Sequence, residues 1–296
     1  MTTLQPQPTS QSAPRMRQPA GGLRWNALLV VGRREFAAAR RGLGMYIAAT
    51  GALVVLGWSL LSSVRAVRNA GLLVHADPFA TPLAYAVIVL ALFHAISAVV
   101  SAARDRERGT LEILFYGPID ELSYIAGKVG GQAVAYVVML PVLLAAVLVL
   151  SAMTGFLVSS RILVTLAVSI IPAVQIVAFG VLLAVAATRV RTAIVLFVGV
   201  IAVLLGVSVA YALILLVPLE NPNSPILPLR DGLAAANAIA SWVSPLSYVE
   251  RIVDSSSTGA WRAALVSLGA ALAYAAGTVA VATAWLRRRG VHRKGE

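Results

Sequence analysis

Cysteine is absent from the 296 residues, which removes disulfides and thiolate metal sites and leaves the redox compartment open. Charge is scarce: Asp, Glu, Lys and Arg make up 12% of the chain, about half the share found in a soluble domain. Acidic residues are scarcer still, 12 against 24 Lys and Arg, for a net charge of +12. Histidine occurs three times, too far apart for a metal site, and no H-E-x-x-H is present. No G-x-x-x-x-G-K-[ST] phosphate loop occurs, so ATP-cleaving chemistry of that kind is not expected here. What remains is apolar residues, 59% of the chain, with a mean hydropathy of +0.85. Uninterrupted apolar runs of about 20 residues define an all-α polytopic membrane protein. Its positive excess fits basic cytoplasmic loops better than nucleic-acid binding. No short hydrophobic region with a small-residue cleavage site precedes the first run, so a cleaved signal peptide is not expected.

Residues 1–22 are rich in Gln, Pro, Ser and Thr and read as a disordered cytoplasmic tail. From Leu23 to Arg41, Trp25, Leu28, Leu29, Phe36 and Ala37 recur at helical spacing. Arg24, Arg33, Arg34, Glu35, Arg40 and Arg41 supply a polar side. The pattern predicts an amphipathic interfacial helix over 23–43, with Trp25 at headgroup depth. The plainer alternative is a basic flank of the first span. A membrane domain over 23–286 then holds six predicted spans, at 44–64, 82–103, 131–154, 162–188, 193–217 and 262–286. Pro141 and Pro172 are expected to bend the third and fourth. A basic cytoplasmic tail closes the chain at 287–296.

An even number of spans puts both termini on one side. That side collects 18 basic residues against six on the other, so both termini and the 104–128 loop are expected to be cytoplasmic. On the outer side, residues 218–261 begin PLENPNSPILP, where proline forbids regular structure. Helix is expected from Asp231 to Ser241, and from Ser244-Pro245 through Asp254. Both stretches are too short to cross the bilayer and are either re-entrant or surface-lying.

The most densely charged stretch is RDRERGTLEILFYGPIDELSYIAGK, residues 104–128. Arg104 to Phe115 lacks helix breakers apart from Gly109 and is expected to be helical. Gly117-Pro118 should end that helix. Asp120 should cap the next, with Glu121 in its first turn. Leu111, Leu114 and Phe115 give an apolar edge among charges of both signs. Two readings stand at this point: a knob for a groove on a soluble partner, or a solvated loop with local pairs such as Arg108 with Glu112.

The loop resembles one found between the second and third spans of type-two ATP-binding-cassette (ABC) exporter permeases. A pattern like RExGTLExLLxxPxxxxxxxxGK recurs there. Here it is met by Arg106, Glu107, Gly109, Thr110, Leu111, Glu112, Leu114, Pro118, Gly127 and Lys128. Phe115-Tyr116-Gly117 is bulkier than the pattern's usual residues before the proline. The six spans, interior termini, amphipathic N-terminal helix and long last external loop also match that family. The resemblance implies a transport subunit that is not an enzyme and binds no cofactor itself. ATP and Mg would be handled by a separate cytoplasmic ATPase, two copies of it with two permeases, as a homodimer or heterodimer. Those ten residues would then be the ATPase-coupling site, flanked by Arg33, Arg34 and Glu35. The location implied is a bacterial or archaeal cytoplasmic membrane.

Inside the spans no Asp or Glu sits centrally, which argues against coupling to protons or sodium. His94 and Gln175 are the polar exceptions and weak candidates for the substrate pathway, the alternative being bonds to neighbouring helices. Gly57-Trp58-Ser59 with His94 lacks any oxyanion constellation, so intramembrane proteolysis is set aside. Two rows of small residues, Gly180, Ala184, Thr188 and Gly269, Ala273, Gly277, permit close helix contact, internal or between subunits. A polytopic scaffold that recruits a cytoplasmic partner without transport is the competing function.

Overall fold

In the computed structural model, residues 21–70, 78–116, 119–217 and 226–289 are described. Residues 1–20 of the expected tail, Pro118, the proline-rich 218–225 and the terminal 290–296 lie outside them. Among the described residues all regular structure is helical, in eleven segments. They are α1 (Gly21–Arg41), α2 (Leu43–Ala70), α3 (Ala80–Glu107), α4 (Thr110–Tyr116), α5 (Glu121–Thr154) and α6 (Ser160–Val168). There follow α7 (Ile170–Ala186), α8 (Val190–Leu215), α9 (Ile226–Val243), α10 (Pro245–Thr258) and α11 (Trp261–Arg289).

Six stretches are long and apolar enough to cross a membrane: Leu43–Arg65, Ala80–Glu107, Glu121–Thr154, Ser160–Ala186, Val190–Leu215 and Trp261–Arg288. Each coincides with a predicted span. The fourth is two helices, α6 and α7, broken at Ser169. Pro172 lies just past that break, and its missing N–H and bulky ring prevent the first turn of α7 from continuing α6. Pro141 leaves α5 one helix of 34 residues.

The second and fourth stretches form the centre: 56% and 61% of their most apolar windows are buried, against 22–28% for the other four. Gly180 allows that central contact, since a Cβ there would sit 3.1 Å from the Val99 side chain and 3.2 Å from the Ala95 carbonyl. Around Gly269 and Gly277 there is open space, so the second small-residue row takes no contact inside the protomer.

One end of the bundle gathers the N-terminal helix, the 104–128 segment, the α7–α8 turn and the end of α11. Arg24 approaches Asp120 at 3.9 Å and Arg287 approaches Glu121 at 3.3 Å. At the far end Ser159 and left-handed Gly155 frame the α5–α6 turn. The helices expected in 231–254 form a hairpin, with Ser244 before Pro245 at the turn as read from sequence. But α9 begins at Ile226, inside the stretch expected to be irregular, because Pro228 falls in its first turn, where no N–H is needed. Its turn is not at the far end: Tyr274 donates to the Val243 carbonyl at 2.9 Å. Tyr274 is about 13 residues, or ~20 Å, along α11 from Trp261.

Candidate functional site

Helix α1 explains the two glycines that precede and follow Lys128. It buries Ala27, Val31, Glu35 and Ala39, one residue per turn, against α5. A Cβ on Gly127 would lie 2.8 Å from the Val31 Cβ, and one on Gly131 would lie 2.6 Å from the Gly32 carbonyl. Only bare backbone permits that approach. Of the expected apolar side of α1, Trp25 and Leu29 are exposed and Leu28, Phe36 and Ala37 half-buried, while Glu35, assigned to the polar side, is buried.

Glu35 is buried because a cation waits for it. Lys128, with no exposed surface, donates to Glu35 Oε1 at 2.7 Å, to Asp105 Oδ2 at 2.7 Å and to Ser101 Oγ at 2.7 Å. Three ammonium protons thus meet three acceptors. Ser101 lies 2.8 Å from Glu35 Oε2, the Tyr124 hydroxyl donates to Asp105 at 3.1 Å, and Arg34 reaches Asp105 Oδ1 at 3.1 Å. The hub ties α1, α3 and α5 through desolvated charge, where removing one partner is far costlier than at a surface.

The motif residues around it divide by direction. Arg106 donates to the carbonyls of Val185 and, at 3.0 Å, Ala187, closing the C-terminus of α7. Glu107 accepts from the Val190 amide at 3.4 Å, at the start of α8. Gly109 breaks the helix expected over 104–115: with φ +68° it ends α3, and Thr110 opens the separate, seven-residue α4. Leu111 is buried, and Leu114 and Phe115 pack on the core, Phe115 edge-on to Tyr124 at 6.1 Å. The predicted apolar edge therefore faces inward. The outward face of α4 is Ile113 and Tyr116, 74% and 83% exposed. Of Glu112 the backbone alone is described, as part of α4. Arg33 is exposed on α1.

Asp120 caps α5 as expected, its carboxylate accepting from the Ser123 amide at 3.2 Å. Burial raises the Asp120 carboxyl, but hydrogen bonds from Ser123 and the Arg24 charge outweigh that and hold it below its ordinary value.

Deeper in the bundle, His94 Nδ1 meets Gln132 Oε1 at 2.9 Å, and Gln132 donates to Ser97 at 3.2 Å. Tyr136 and Ser169 share a hydrogen bond of 2.8 Å. His94 Nε2 and both amide atoms of Gln175 are buried without a partner among the described residues. His94 and Gln175 are not joined by any hydrogen bond.

Sequence reasoning passed over Ser101, Asp105 and Tyr124 as site residues. Their signal was spacing: Ser97, Ser101 and Asp105 on one helix, and Tyr124, Lys128, Gln132 and Tyr136 on another, repeat every four residues. Two such rows on apolar helices mark faces that meet. Among the described residues no group of three or more His, Cys, Asp or Glu is placed to hold a metal.

No curated protein matches the chain. The profile of the ABC-2 family transporter proteins matches residues 15–291, nearly the whole length. With six helices able to span a bilayer, the chain belongs to the ABC-2 transporter family, as a multi-pass permease subunit of an ABC transporter.

Proposed function

We propose that this permease serves an ATP-driven exporter, with α4 as the element that a cytoplasmic ATPase grips. The observation that carries the reading is the direction of α4. It stands at the basic end with Ile113 and Tyr116 exposed, while its other apolar side chains brace it against α3 and α5. Large exposed apolar side chains among charges suit insertion into a partner's groove. Arg106, Glu107, Leu111 and Lys128 then act by holding α4 in place, and Arg33 remains free to flank the contact. ATP and Mg belong to the ATPase, and this chain does no ATP chemistry.

The basic end faces the cytoplasm, with both termini there, and α1 lies along the cytoplasmic interface of a bacterial or archaeal membrane. Two permeases with two ATPases form the working unit. Helices α9 and α10 are re-entrant, because their turn sits beside Tyr274 within the span depth of α11. On α10, Glu250 is exposed while its neighbours Val249, Ile252 and Val253 are buried. A carboxylate at that depth belongs beside water or protein and not lipid, so this face of α10 lines the passage between protomers. His94 and Gln175, enclosed in the protomer, meet substrate where the bundle opens.

Affinity purification in mild detergent tests the coupling reading. The tagged chain should bring down a stoichiometric ATPase, and Ile113→Asp/Tyr116→Asp should lose it while the melting temperature holds. An ATPase that stays bound to that double variant would refute the role of α4. A chain that purifies alone, with no ATP-dependent activity in its membranes, would favour a scaffold.

A further inference from the structure

A cavity of about 460 Å³ opens between α1, α2 and α3 at the basic end, backed by the outer side of the Lys128 hub through Arg34, Glu35, Ser101 and Asp105. Arg34, Arg104 and Arg108 stand at its lining, with Phe93, Ile96 and Val100 as apolar wall. Helix α3 sets these out in order, a turn at a time: Arg108, Arg104, Val100, Ile96 and Phe93. From Arg104 to Phe93 is ~16 Å at 1.5 Å per residue, about half of a ~30 Å hydrocarbon core. The stripe is thus one leaflet deep, charged at one end and apolar along the rest.

Glu35 and Asp105 also border the cavity, but Lys128 and Arg34 neutralise them. Arg104 and Arg108 are exposed and make no ion pair with any described residue. Two guanidiniums without an ion pair among the described residues, above an apolar wall, call for an anion with a hydrocarbon tail. We propose that this cavity binds an anionic phospholipid, its phosphate on Arg104 and Arg108 and an acyl chain along Val100, Ile96 and Phe93. A free phosphate would use the arginines and leave the wall wet. A bilayer supplies a molecule that satisfies both, and basic pockets between transmembrane helices take such headgroups.

The test titrates the purified full chain in detergent with dioleoyl-phosphatidylglycerol or dioleoyl-phosphatidylcholine and counts bound lipid by native mass spectrometry. Phosphatidylglycerol should be retained preferentially, and Arg104→Gln/Arg108→Gln should weaken it about thirtyfold, some fivefold for each guanidinium. Val100→Trp, which fills the cavity and keeps both charges, should weaken it at least tenfold. Inorganic phosphate at matched ionic strength should not displace the lipid. Equal retention by the arginine variant overturns the proposal. So does unaltered retention by Val100→Trp, which would mean diffuse surface attraction, or displacement by phosphate, which would mean an anion site without a chain. Should the tryptophan not be accommodated, the arginine pair decides alone, since those side chains are exposed and make no ion pair with a described residue.

Discussion

Replacing Lys128 by methionine keeps an unbranched apolar stem, one atom shorter, and deletes the charge. Three hydrogen bonds disappear at once, to Glu35, Asp105 and Ser101. Asp105 keeps Arg34 and Tyr124 at 3.1 Å each. Glu35, 3% exposed, keeps Ser101 alone. Breaking a buried pair by removing one partner costs about 3–5 kcal/mol, because the other charge stays desolvated. For a chain of this size each kcal/mol moves Tm by about 2–4 °C, so Lys128→Met should melt ~10 °C early by tryptophan fluorescence in detergent. If an orphaned carboxylate is the cause, Glu35→Gln in the same chain should restore at least half of the loss. Glu35→Gln alone should cost less than Lys128→Met, since Lys128 keeps Asp105. A Lys128→Met chain melting within about 2 °C of the parent, or a double variant that recovers nothing, would refute the account of the hub.

Gly131→Ala should lower stability by about 1–3 kcal/mol, because its Cβ meets the Gly32 carbonyl at 2.6 Å and the Glu35 Cβ at 2.7 Å. Its neighbour Gly130 has open space, so Gly130→Ala should raise stability by about 0.5–1 kcal/mol; thermal melts of the pair check both signs. Asp120→Ala should cost about 1 kcal/mol through loss of the α5 cap. The Asp120 carboxyl is held low in the fold, so its contribution is present above the unfolded carboxylate range and lost as pH falls through the folded value. The gap between parent and variant melts should therefore close on acidification below about pH 4. Arg106→Gln leaves the Val185 and Ala187 carbonyls short of a donor and should cost about 1–3 kcal/mol. Hydrogen exchange should rise first at the α7–α8 turn.

The spans were legible because their signal is composition over about 20 residues, and tertiary contacts rarely overrule that. The caps were legible for a local reason: Asp120 and Ser244-Pro245 act within a turn of themselves. Directions were not. Leu111, Leu114 and Phe115 read as a free edge, yet a seven-residue helix between two long ones buries whichever apolar side those neighbours cover. In the sequence Gly109 reads as an isolated glycine inside one helix over 104–115. Only the backbone shows that it takes φ +68° and separates α3 from α4. Glu35 was placed with the polar side of α1 because no local pattern reveals a lysine 93 residues away that requires a carboxylate. Long-range pairing of buried charge is decided by which helices meet, and the four-residue polar rows were its one sequence trace.

The loop thus divides by direction into inward side chains that frame it and the outward pair proposed as the ATPase contact. Its outward side chains are Ile113 and Tyr116, and its inward charged ones tie together the helices that flank α4. Lys128 joins α5 to α1 and α3, Arg106 joins α3 to the end of α7, and Glu107 joins α3 to the start of α8. Desolvated charges separate at high cost, so α1, α3 and α5 respond to a push on α4 as one block. The exposed Glu107 bond at 3.4 Å is the weakest link by length and burial. Motion delivered at α4 therefore meets least resistance between that block and α8. On the proposed coupling through α4, the first yielding seam of the stroke would be the α7–α8 turn, with Arg106 as the tether that limits it.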